Sequence, residues 1–130
     1  MNGEALDRKL FFAIGFLVWL LATIVFRLAG HLFFLDDDPA ILTLLWLATI
    51  IALFSFALVL FRWRRLTRAQ QFEAAALMVI PGMVLDAFIT EGFEMVFPNM
   101  SADAAGSFGA WLLIAYASVL VAAFIPPRWD

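Results

Sequence analysis

Four stretches of mostly apolar residues, each long enough to cross a bilayer, restrict what this chain can become. They are residues 10–35, 40–61, 74–97 and 107–125. Crossing roughly 30 Å of hydrocarbon takes about 20 apolar residues in a helix. In lipid every backbone N–H and C=O must find a partner within the chain, so such segments become helices. The first reads "LFFAIGFLVWLLATIVF" from Leu10 to Phe26, with a helical pattern running on through Arg27 and His31 to Leu35. The second, Ala40 to Phe61, carries no charge. The fourth stops at Pro126 and Pro127, which cannot continue a helix. Composition agrees: 65% of the 130 residues are hydrophobic and only 15% are charged, more apolar surface than a soluble domain of this size can bury. The first apolar run is too long for a signal-peptide core and no small-x-small site follows it cleanly, so it reads as a retained anchor.

The links are short. "DDDP" (Asp36 to Pro39) joins spans one and two, "RWRRLTRAQQFE" joins two and three, and "PNMSADAAG" (Pro98 to Gly106) joins three and four. Short links favour antiparallel neighbours. The expected fold is therefore all-α, a single integral membrane four-helix bundle. Arg8 and Lys9 precede span one, Arg62, Arg64, Arg65 and Arg68 lie between two and three, and Arg128 follows four; the other two links hold only acids. By the positive-inside rule both termini are cytoplasmic. Spans one and three run the same way and end in polar residues, as a duplicated hairpin would, although their sequences share almost nothing.

Polar residues inside a span are costly and mark sites. The stretch "VLDAFITEGFEMVFPN" holds Asp86, Glu91 and Glu94 within nine residues. At roughly 1.5 Å per residue, Asp86 lies about 18 Å beyond Ala74, Glu91 about 25 Å and Glu94 about 30 Å. Measured from Leu10, Arg27 lies about 25 Å in and His31 about 31 Å. Arg27 is thus level with Glu91, His31 with Glu94, and Asp86 is deeper than all. Asp86, Thr90 and Glu94 share one helical face, flanked by Glu91. Glu94 and His31 read first as solvated groups in the outer headgroup zone, Glu91 is balanced between that and a buried role, and Arg27 also reads as a side chain snorkelling to the surface.

Asp86 is too short to do that. A charge near mid-span costs on the order of 2.5–3.5 kcal/mol, so it must be protonated, paired or in a wet cavity. Helical side chains lean toward the N-terminus, which tips Arg27 toward the depth of Asp86; an Arg27–Asp86 pair across spans one and three is the expectation, functional or purely structural. Pro81 and Gly82 beneath it form a kink or a hinge. Tyr116, at mid-depth in span four, needs a partner for its hydroxyl, with Thr49 as the candidate. Trp111 caps the site or belongs to the outer aromatic belt.

Much is excluded. With no cysteine and one histidine, thiolate metal sites, disulfides and any single-chain site needing two imidazoles are ruled out. No phosphate loop or nucleophile motif occurs, and Glu-x-x-His pairs for a di-iron bundle are missing. No cofactor, metal or catalysis is expected, and nucleic acid is not an expected partner.

The run "VFPNMSADAAGSFGAWLLIAYASVL", Val96 to Leu120, with the acidic helix before it, resembles a family of small bacterial four-span membrane proteins known only as a domain of unknown function. That resemblance implies a bacterial inner-membrane protein and carries over no functional residue. The chain is similar in size to small multidrug-resistance exporters, but those place an essential glutamate in the first helix, where this chain has only Arg27.

Two functions remain. In one, Asp86 and Glu91 bind a proton or cation, with Arg27 governing their protonation, Glu94 and His31 at the outer rim, and transport of a small solute coupled to that binding. In the other, the chain is an accessory or assembly subunit whose ion pair only fixes helix register. Either way the expected partners are the bilayer and further membrane protein, as copies of the chain or a larger complex.

Overall fold

The computed structural model describes residues 5–32 and 39–127. The expected extension of the first helix to Leu35, the acidic link Asp36–Asp38 and the trailing Arg128 lie outside the described residues. Four long helices form the body: α1 (Arg8–Ala29), α2 (Pro39–Trp63), α3 (Arg68–Glu91) and α5 (Ala104–Ala122), with a single-turn α4 (Phe93–Val96) between the last two. All four long helices are apolar and long enough to span a membrane, and no strand occurs among the described residues. The chain is an all-α, multi-pass membrane protein.

Local chemistry sets the helix ends. The Asp7 side chain caps α1 by accepting from the Leu10 amide at 3.2 Å. Pro39 opens α2, where its missing N–H costs nothing. Thr67 and Gln70 form a reciprocal capping box at the start of α3, which is why that helix begins well before Ala74. Between α2 and α3, Arg65 takes φ 53°, the Leu66 amide bonds the Phe61 carbonyl and the Arg65 amide bonds the Arg62 carbonyl. This is a Schellman turn, completed by the buried contact of Leu66 with Phe61 in the core.

Helices consecutive in sequence run antiparallel, but the two closest packings are between parallel ones, α1 with α3 and α2 with α5. Antiparallel α3 and α5 join the two pairs, while α1 and α2 make no comparable contact. The helices thus follow one another around the bundle as α1, α3, α5, α2, with the last side left loose. The α1–α3 contact is close because Gly15 faces the Met78 backbone; a Cβ there would overlap the Met78 carbonyl.

Two apolar clusters close the bundle at its ends. Toward the arginine-bearing end, Phe11, Phe61, Leu66, Met78 and Val79 pack together. There Gln71, almost wholly buried, donates to the carbonyls of Ala123 (3.2 Å) and Ile125 (2.8 Å), tying α3 to the end of α5. An exposed Arg8–Glu73 pair joins the starts of α1 and α3. At the opposite end, Phe26, Phe93, Phe97 and Phe108 form an aromatic plug, with Phe26 edge-on to Trp111 at 4.7 Å. Asn99 fastens it by donating to the Phe26 carbonyl at 3.0 Å, at the end of α1, and lies 3.3 Å from His31 Nδ1.

Candidate functional site

Between the two clusters lies a cavity of about 260 Å³, lined by all four long helices. Its wall is almost entirely apolar and aromatic. Among the described residues Asp86 is the one charged group in it, and it is 5% exposed.

Asp86 is held by two donors from opposite sides. Trp19 of α1 donates its indole N–H to Oδ1 at 2.8 Å, and Tyr116 of α5 donates its hydroxyl to Oδ2. One carboxylate therefore links three helices. Gly82, one turn before Asp86, makes the arrangement possible. A Cβ at that position would stand 2.6 Å from the Tyr116 hydroxyl and 3.3 Å from Trp19 Cδ1. The smallness of Gly82 thus serves the approach of these two rings. Helix α3 runs on unbroken through Pro81 and Gly82.

The expected Arg27–Asp86 pair does not form. No ion pair among the described residues reaches Asp86, and Arg27 lies on the exposed surface. Level positions on α1 and α3 differ by 65 residues at Arg8 and Glu73 and by 67 at Trp19 and Asp86, so Arg27 lies beyond Asp86 as well as on another face. The face was wrong. Phe11, Gly15, Trp19 and Phe26 share the side of α1 that meets its neighbours. Arg27 follows Phe26 and is turned about 100° away from it. At that register Trp19, two turns deeper, meets the carboxylate.

The Asp86–Thr90–Glu94 stripe also breaks up. Helix α3 ends at Glu91, Gly92 (φ −104°, ψ 37°) turns the chain, and Glu94 belongs to α4. Thr90, Glu91 and Glu94 are all exposed, while Asp86 is buried. His31 is exposed beside Asn99. Of the residues singled out from sequence, the structure brings Asp86, Tyr116, Trp111 and Gly82 to the cavity region and leaves Arg27, His31, Glu91 and Glu94 on the surface. No group of three or more His, Asp or Glu side chains placed to hold a metal ion occurs among the described residues.

Tyr116 and Thr49 are not partners. Thr49 instead accepts the indole N–H of Trp111 at 2.7 Å, so Trp111 is a buried wall of the cavity and not part of an interfacial belt. Thr23, also in the wall, donates to the Trp19 carbonyl one turn back at 2.9 Å. Trp19 escaped the sequence reading. Its signal was there: a tryptophan far from either interface has an N–H that needs a buried acceptor, and Asp86 lies at a similar depth.

No curated protein and no solved structure matches the chain. A family model described as a family of unknown function, DUF5367, matches residues 33–129. That match takes in α2 to α5 and so includes Asp86, Tyr116 and Thr49; Trp19 lies before it. It agrees with the resemblance noted over Val96–Leu120. The chain belongs to this family of unknown function.

Proposed function

We propose that the protein is a small transport module in which Asp86 binds a proton or a cation, coupled to movement of a small solute. One observation carries this reading: a carboxylate buried among four membrane-spanning helices faces a cavity and has neutral donors but no cationic partner among the described residues. Carboxylates in such surroundings are costly unless neutralised. Exchange between a proton and another cation supplies that neutralisation in either state. Trp19 and Tyr116 hold the acceptor in place, and Gly82 lets both rings reach it. We place Arg62, Arg64, Arg65 and Arg68 on the cytoplasmic side of a bacterial inner membrane, from the clustering of positive charge at that end, and assign the chain no catalytic step. Assembly from several copies fits a chain of this size.

Both this reading and the accessory-subunit alternative used an Arg27–Asp86 pair, which does not form; in the alternative the Trp19–Asp86–Tyr116 junction fixes helix register in its place. Purified protein in liposomes tests the two. Proton or alkali-cation flux that is lost in Asp86→Asn, with the variant still folded, supports transport. Absence of flux from the unaltered protein under both gradients, or undiminished flux in Asp86→Asn, defeats it.

A further inference from the structure

We infer that the cavity admits an organic monocation with an apolar body, such as a small quaternary ammonium compound, sideways from the bilayer between α1 and α2. This deepens the transport reading and rests on it for its biological sense, though not for its chemistry. Three features lead to it.

The first is access. The apolar clusters flank the cavity at the two ends of the bundle. Side chains of α1 and α2 meet in these two end clusters, but of the helices that follow one another around the bundle, only α1 and α2 lack close backbone approach. It is there that wall residues reach the outside: Phe56 of α2 is 40% exposed and Ala52 is exposed too, while the wall residues contributed by α3 are buried. The opening therefore faces the acyl chains and not the aqueous phases. A ligand must dissolve in lipid to use it.

The second is the inventory of polar atoms. Thr23 donates its hydroxyl proton within the fold, Thr49 accepts there, and the indole N–H groups of Trp19 and Trp111 are both used. A carboxylate has about four lone-pair sites, and Asp86 has filled one on each oxygen. Beside a few neutral hydroxyl sites, free acceptor capacity thus remains at the wall's one carboxyl group. It selects positive charge.

The third is the wall. Trp19, Phe26, Phe56, Phe108, Trp111 and Tyr116 all line the space. Aromatic faces attract ammonium groups, most strongly where water is excluded. A volume of about 260 Å³ is near the lower end of the roughly 300–1,000 Å³ of ligand sites, which fits a single ring bearing a trimethylammonium group and excludes bulky multi-ring cations.

The test uses the full chain in lipid nanodiscs, titrated with benzyltrimethylammonium and with neopentylbenzene, its uncharged isostere, and read by tryptophan fluorescence. The cation should bind saturably and at least tenfold more tightly than the isostere. Asp86→Asn should remove that preference. Ala52→Trp, which changes the opening and leaves the carboxylate untouched, should slow association severalfold. Equal binding of the two probes by the unaltered protein overturns the inference without recourse to any variant, and so does an Ala52→Trp protein with unchanged association rate. Saturable cation binding without flux in liposomes would defeat the transport reading alone. Proton flux without benzyltrimethylammonium binding would defeat this inference alone.

Discussion

Replacing Tyr116 by Phe removes one hydroxyl from the Asp86 site and leaves the ring, with its contacts beside Gly82, in place. Hydrogen bonds between membrane helices are worth about 0.6 kcal/mol on average and at most about 1.7. Bonds to an ionised group are roughly twice as strong as neutral ones. A carboxylate acceptor at Asp86 thus sets the expected loss at about 1–3 kcal/mol. In an Asp86→Asn background the same Tyr116→Phe change removes a bond to a neutral acceptor, and the loss falls to about 0.6 kcal/mol. Equilibrium unfolding of the four proteins in mixed micelles completes the double-mutant cycle, and the coupling is the difference between the two Tyr116→Phe losses. Equal losses in both backgrounds would show that the hydroxyl does not act through the carboxylate, and the three-helix junction at Asp86 would have to be abandoned.

Arg27→Gln should change unfolding free energy by less than about 0.5 kcal/mol, as exposed substitutions do; a loss of several kcal/mol in the same unfolding assay would restore the discarded ion pair. Gly15→Val places a branched side chain against the Met78 carbonyl and should cost on the order of 1–3 kcal/mol by overpacking, seen as a lowered unfolding midpoint, whereas a neutral result would mean that α1 and α3 do not approach so closely. Gln71→Leu leaves the Ala123 and Ile125 carbonyls without their donor and should cost about 1–3 kcal/mol, with faster amide exchange confined at first to the end of α5.

The spans were readable because lipid leaves few choices: long apolar segments become helices, and charge at their flanks marks their ends. The relative depth of residues on α1 and α3 was readable for the same reason, since rise per residue is fixed. What sequence did not disclose was the rotation of each helix. The expected Arg27–Asp86 pair rested on opposite charge and the inward lean of the side chain, and the 100° turn per residue puts Arg27 on another face. The turn at Gly92 separated Glu94 from the face it would share with Asp86 in a continuous helix, because the aromatic packing of Phe93 and Phe97 directs the chain back over the bundle. The indole of Trp19 is hidden by the apolar run around it, although a tryptophan at that depth carries a donor to satisfy. The loose seam between α1 and α2 is a property of packing order, and no single residue announces it.

The central claim is a mid-membrane carboxyl reached through lipid and open to a cation. Carbodiimide labelling tests it most directly, since these reagents modify carboxylic acids and come in membrane-soluble and water-soluble forms. With protein in nanodiscs, dicyclohexylcarbodiimide should leave its mass adduct on Asp86, a water-soluble carbodiimide should not, and benzyltrimethylammonium should slow the first reaction severalfold. Modification of Asp86 by both reagents at equal rates, or by neither while the exposed Glu91 and Glu94 react, would contradict the account.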